Sequence, residues 1–237
     1  VQSGPGLTAI PQPSATTNAK AILSELGWNE ETNTRQLLDA ASADEILAAT
    51  VAAQAKAGGG PFGGLQLAPV VDGAVLPRHP FTPDAPGQAE DIPLLIGWNK
   101  DEMSLFNFAA PWFGQLEAAA LPDRAKAFFG DGAADALHAF RAAHPDYSPT
   151  YLANTMMGDR FMFGGSAVMA ERKAQQRAPV YMYYLTWETP VFDGIFKSPH
   201  TLDIPFVFRT VDKTGVLTSH TPAAFEMAAL MSAAWIA

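Results

Sequence analysis

The residue types that could do chemistry lie just beyond two apolar runs. The stretch IGWNKDEMSLF, residues 96–106, ends a strand-like segment with Asn99, Lys100, Asp101 and Glu102. A second run, PVYMYYLTW (179–187), is followed by FDGIFKSPHTLDIPFVF (192–208), which puts His200 in a polar turn ahead of another apolar segment. In open α/β sheets ligands bind beyond the carboxyl ends of strands, so the residues after each run are where chemistry would sit. An acid and then a histidine, each after a strand, match the last two members of a Ser…acid…His arrangement for acyl transfer. The serine of such an arrangement is expected in a G-x-S-x-G turn, and that pattern does not occur in these residues.

The elements that must position these groups read as alternating strand and helix. Residues 17–27 and 42–57 have helical spacing, the second opening with Ser42 and Glu45 as a capping box and closing on Gly58 to Gly60. LQLAPVVDG (65–73) is a short extended segment, and the Pro-rich LPRHPFTPDAPG (76–87) after it is a loop. IPLLIGW (92–98) and PVYMYYLTW are uninterrupted apolar runs of strand length, as expected where both sheet faces are covered. Helical stretches over roughly 115–143 and 160–177 separate them, which predicts an α/β sheet with parallel crossovers. The Ala-rich AAFEMAALMSAAWIA (223–237), with Glu226 in its middle, reads as a core helix.

Composition narrows the function classes. The chain is 48% hydrophobic and 16% charged, enough to build a sizeable core. Its net charge of −9, with 15 scattered Lys and Arg, gives no footprint for nucleic acid or an anionic membrane surface, so neutral or cationic partners fit better. No apolar run reaches a membrane span, and VQSGPGL has no secretory-signal pattern. There is no cysteine, hence no disulfide framework or thiol nucleophile. His79, His138, His144 and His220 show no metal-ligand spacing, so a structural place is expected for them and no metal. AGGGPFGG (57–64) follows a helix and lacks a Lys-Ser/Thr ending, so it reads as a helix cap and turn, not a phosphate loop. Phe106, Phe108, Trp112 and Phe113 are either core or pocket aromatics.

Five segments in one order, VQSGPGL, PVVDGAVLP, IPLLIGWNKDEMSLF, PVYMYYLTWE and HTLDIPFVF, resemble the type B carboxylesterase (cholinesterase-like) family, particularly its bacterial esterases, over nearly the whole chain. The resemblance implies an α/β-hydrolase fold, with residues 1–237 as a partial domain, the carboxyl-terminal part of the sheet with its crossover helices, apparently cut at both ends. It implies a serine carboxylesterase acting on small-molecule esters through an acyl-enzyme, without a cofactor. It assigns the catalytic acid to Glu102, with Asp101 as its neighbour, and the base to His200. Ser3 matches the Ser of the family's Q-S-G segment and is read either as a support for Glu102 or as a plain turn hydroxyl, not as the nucleophile. The nucleophile and oxyanion glycines are expected upstream in the same protein.

Two departures bear on specificity. Met103 stands where a Gly is usual, and Leu105 where cholinesterases place an aromatic ring, so a choline site is not expected, since Leu offers no π face to a cation. A generic apolar pocket touching Leu105, Phe106 and Phe108 fits instead. The absence of cysteine differs from disulfide-bearing animal relatives and points to a bacterial protein, with the compartment open between cytoplasm and secretion. The alternatives are a non-catalytic binding relative that keeps the fold, or an inert fragment with an unpaired sheet edge.

Overall fold

The computed structural model describes residues 1–58 and 64–237. The chain divides into two compact units, Leu7–Pro83 on one hand and Val1–Gly6 with Asp84–Ala237 on the other.

In the smaller unit, β1 (Ile10–Pro11) pairs in parallel with β2 (Val70–Val71), and helices α1 (Gln12–Glu25), α2 (Thr34–Ala40) and α3 (Ala43–Ala57) make up the rest of its regular structure. α1 begins earlier than its periodicity predicts because Pro13 falls in its first turn, where a missing N–H costs nothing and the fixed φ suits a helix. α3 opens with the expected box: the Ser42 hydroxyl accepts from the Glu45 amide, and the Glu45 carboxylate accepts from the Ser42 amide. Gly58 caps it at φ 69°. The rest of the predicted cap and turn, residues 59–63, lies outside the described residues.

In the larger unit, β3 (Leu94–Asn99) pairs in parallel with β4 (Val180–Leu185), running from Leu94 opposite Val180 to Asn99 opposite Leu185. The first residues of the chain run beside β3 on its other side: the Ser3 amide donates to Gly97 O at 2.9 Å and the Gly97 amide to Val1 O at 3.1 Å. Parallel alignment therefore brings Ser3, Asn99 and Leu185 to the same end of the sheet. Gly97 is required in the middle, because a Cβ there would lie 2.2 Å from the ring and carbonyl of Tyr183 on the next strand.

The crossover from β3 to β4 is helical: α4 (Met103–Asn107), α5 (Leu121–Phe129), α6 (Ala133–Ala143), α7 (Pro149–Gly158) and α8 (Gly164–Lys173). The helix expected over 115–143 is two helices, broken at Gly130, whose φ of 55° leaves the helical region. The helix expected from 160 starts at Pro149, with the Ser148 hydroxyl accepting from the Tyr151 amide, and runs through a π-helical turn at Asp159–Phe163 into α8. Leu121, Ala125, Leu137, Leu152 and Met156 form the core under α5, α6 and α7.

After β4 come α9 (Asp203–Val207), α10 (Gly215–Thr218) and α11 (Pro222–Ile236). α11 enters the core as expected, but through one face. Its stripe Ala224, Ala228 and Met231 is buried in the cluster with Leu202 and Phe206, and half-buried Met227 and Trp235 pack against it, while Phe225, Leu230 and Ile236 are exposed. An apolar run without a polar face gives no periodic signal of which side will be covered. β4 likewise exposes Tyr181, Met182 and Tyr184, so coverage on both faces does not hold for that strand among the described residues.

Candidate active site

β3 ends at Asn99, and the chain turns through Glu102 at once into α4. Lys100 still joins the sheet, its amide donating to Leu185 O at 2.9 Å. Glu102 then begins the helical conformation, which aims its side chain back under the strand end. It is 1% exposed, and a buried carboxylate is tolerable only when its oxygens are hydrogen-bonded. Both are. Oε1 accepts from the Asn99 amide at 2.6 Å and from the Ser3 hydroxyl, and Oε2 lies 2.5 Å from His200 Nδ1.

His200 reaches this carboxylate from the turn after β4, 98 residues away. Its amide donates to Glu102 O at 3.3 Å, so backbone and side chain both join the two loops. The imidazole retains 25% of its side-chain exposure, open enough for a reactant to meet it. The hydrogen bond to Glu102 raises its pKa above the usual histidine value; burial opposes this, and the Asp203 charge adds to it. An ionised carboxylate only accepts, so the neutral ring carries its proton on Nδ1 and leaves Nε2 as a base. Such a pair can take a proton from a hydroxyl at Nε2 and stabilise the imidazolium that results.

Asp203, three residues past His200 and 1% exposed, forms the layer behind. Its Oδ2 accepts from Gln2 Nε2 at 2.8 Å and from the Tyr183 hydroxyl at 2.7 Å, while its Oδ1 lies 3.3 Å from Asn99 Nδ2. Asn99 Nδ2 also donates to Pro199 O at 2.8 Å. Sequence reasoning missed Asp203, Gln2 and Tyr183 as members of the site. For Asp203 a signal existed, since it is the acidic residue of the HTLDIPFVF segment, three residues after His200.

The structure thus brings Ser3, Glu102 and His200 into one connected group. Among the pocket candidates, Phe106 packs on His200 with ring centroids 4.9 Å apart, Phe108 packs on Phe196 at 5.6 Å, and Leu105 is half-buried beside them in α4. Trp112 joins the apolar cluster of α5 to α7, and Phe113 meets the Tyr151 ring. Met103, in place of Gly, is fully buried. Of the other histidines, His79 accepts from the Ala9 amide and His144 stacks on Tyr147. Among the described residues, no three His, Asp or Glu side chains gather to hold a metal, and no helix is long and apolar enough to cross a membrane.

The sequence model described as "Carboxylesterase family" matches residues 1–236. The chain belongs to the carboxylesterase family. This carboxylesterase-family chain is 32% identical over 155 residues to phenmedipham hydrolase of Pseudarthrobacter oxydans, an alignment covering 64% of the chain and 30% of that protein. It is 30% identical over 216 residues to para-nitrobenzyl esterase of Bacillus subtilis, covering 90% of the chain and 41% of the relative. Among solved structures, the carboxylesterase Est55 of Geobacillus stearothermophilus superposes with a TM-score of 0.76 at 32% identity, over 99% of this chain and 47% of that one. The fold is therefore the α/β-hydrolase fold. The chain spans less than half the length of the relatives it matches.

Proposed function

We propose that this chain supplies the acid and the base of a serine carboxylesterase, Glu102 and His200, to a nucleophilic serine carried elsewhere in the same protein. The observation that supports this most is the buried Glu102 carboxylate bonded through Oε2 to His200 Nδ1 while Oε1 is held by Ser3 and Asn99. In the proposed reaction His200 Nε2 removes the serine proton as the oxygen attacks the ester carbonyl, then returns it to the departing alkoxide. Water attacks the acyl-enzyme by the same route, releasing the acid. Glu102 keeps the ring in its Nδ1–H form and offsets the positive charge in both steps. Ser3 supports the acid and does not attack substrate.

The substrates proposed are carboxylic esters with apolar groups, accepted beside Phe106, Phe108 and Leu105; no cofactor takes part. Membership in a family whose relatives include a para-nitrobenzyl esterase supports the ester class. The test is hydrolysis of p-nitrophenyl and p-nitrobenzyl esters by the complete protein, with fluorophosphonate labelling of its activated serine. His200→Ala is expected to lower kcat by at least about 10³-fold with an unchanged melting temperature, because members of such a unit fail together. Turnover within tenfold of the parent would sink the assignment.

A further inference from the structure

Asp101, next to the proposed acid, is a second carboxylate that acyl transfer does not use, yet it is 2% exposed. It faces the turn that carries His200. Its amide donates to Ser198 O at 2.8 Å, and its Oδ2 accepts from the Ser198 amide at 3.2 Å, a reciprocal pair two residues before the imidazole. The Ser198 hydroxyl donates to Leu185 O at 3.0 Å, and Ser104 Oγ lies 2.6 Å from Phe196 O, so each neighbouring residue of the turn is fixed as well. Lys197 lies between them at φ 55°, a left-handed conformation that a lysine does not hold unaided.

The charges around Asp101 form a closed set. Lys100 Nζ is 3.7 Å from Oδ2 and also pairs with Glu188 beyond β4, which binds Lys197 Nζ at 3.4 Å. The Tyr147 ring, from the loop before α7, and the Tyr151 ring, from α7, lie under Lys197, with His144 stacked on Tyr147. Among the described residues, Asp101 Oδ1 has no hydrogen-bond partner. Burial pushes the carboxyl up to about 6, against the Lys100 charge, so ionised Asp101 lowers the stability of the fold at neutral pH.

We propose that Asp101 is a positioning residue whose carboxylate, by accepting the Ser198 amide, fixes the 197–200 turn so that His200 stays aligned on Glu102. This rests on the esterase reading above. The test uses the complete protein and p-nitrophenyl acetate at pH 8. Asp101→Leu, which keeps the bulk and removes the acceptor, is expected to lower kcat 10- to 100-fold with KM within about threefold, since small misplacements of a catalytic group cost rates of this order. Asp101→Asn, which keeps an oxygen for Ser198, is expected to stay within about fivefold of the parent.

Asp101→Leu within twofold of the parent, or Asn and Leu variants equally impaired, would overturn the positioning role. If the Leu variant does not fold, the Asn variant decides alone: a loss beyond about fivefold in kcat overturns the proposal. A parent protein that neither turns over ester nor takes up fluorophosphonate overturns the esterase reading instead, before any variant is compared.

Discussion

Replacing Glu102 by glutamine changes one atom of the site and should nearly abolish turnover. The two oxygens of Glu102 are not equivalent. Oε1 receives two donors, the Asn99 amide at 2.6 Å and the Ser3 hydroxyl, whereas Oε2 meets His200 Nδ1. A glutamine amide must keep its carbonyl toward Asn99, because an NH2 there would confront a backbone N–H that cannot turn away. The NH2 therefore faces His200 and donates to Nδ1, which drives the ring proton to Nε2, the nitrogen that should act as base. A ring held in the wrong tautomer is expected to cost 10³- to 10⁴-fold in kcat, about 4 to 5.5 kcal/mol of barrier. The side chain keeps its size and a buried charge is removed, so the melting temperature should not fall by more than a few degrees. The assay is steady-state hydrolysis of a p-nitrophenyl ester by the complete protein across pH 6 to 9, beside thermal melts of parent and variant. A loss below tenfold in a folded variant would refute the tautomer argument and mean that the imidazole is oriented by something other than Glu102.

Two further outcomes follow from the same geometry. The hydrogen bond to Glu102 raises the His200 pKa, so the acid limb of the kcat/KM profile should lie above 6.5, the ordinary imidazole value, and should move down in Glu102→Gln. The same shift contributes stability that is complete below the unfolded value and is lost as pH rises through the folded one. A limb at or below 6.5 in the parent contradicts the coupling. Gly97→Ala should destabilise the β3–β4 pair by about 3 kcal/mol or more, since its Cβ would meet Tyr183 at 2.2 Å, and denaturant unfolding that moves by less than 1 kcal/mol would show that the strands part without cost.

What the sequence made legible is the order of strand, acid, strand and histidine, because strand ends are marked by apolar runs that stop abruptly, and Glu102 and His200 follow such stops. The resemblance to a family narrowed two adjacent acids to one; composition alone could not, as both Asp101 and Glu102 are buried. Ser3 belongs to the same cluster through the parallel alignment of residues 1–3 with β3, a contact that no local pattern encodes. Asp203 was within reach of a spacing argument, three residues from His200, but its partners Gln2 and Tyr183 come from the two segments flanking it on the sheet end and were not. Helix boundaries were misjudged where a single residue type outweighed periodicity: Gly130 broke one helix, and Ser148-Pro149 began another about ten residues before the apolar pattern suggested. The exposed faces of α11 and β4 were illegible for a different reason. A mostly apolar run without a polar face gives no direction, and the partner it meets decides which side is covered.

The turn that carries His200 is held in a conformation it would not choose, and the residues directly after it explain how. Lys197 at φ 55° and Thr201 at φ 69° both lie in the left-handed region, where a β-branched residue such as Thr201 is especially disfavoured, at a cost of roughly 1–3 kcal/mol each. Ser3, across the acid, adds a third such residue at φ 49°. Immediately past Thr201, Leu202 and Phe206 are fully buried against Ala224 and Ala228 of α11, with the Trp187 ring 5.0 Å from that of Phe206. Burying two side chains of that size stabilises by about 3–6 kcal/mol, comparable to the strain of the turn beside them. The strained turn cannot relax to ordinary dihedrals without drawing Leu202 out of this cluster. The imidazole is therefore pinned from both sides, by the paired loops on the sheet end and by an apolar anchor two residues beyond it. On the proposed esterase reading, a site prepared in this way would have its proton-transfer geometry set before substrate arrives, so little reorganisation would be left to the moment of reaction.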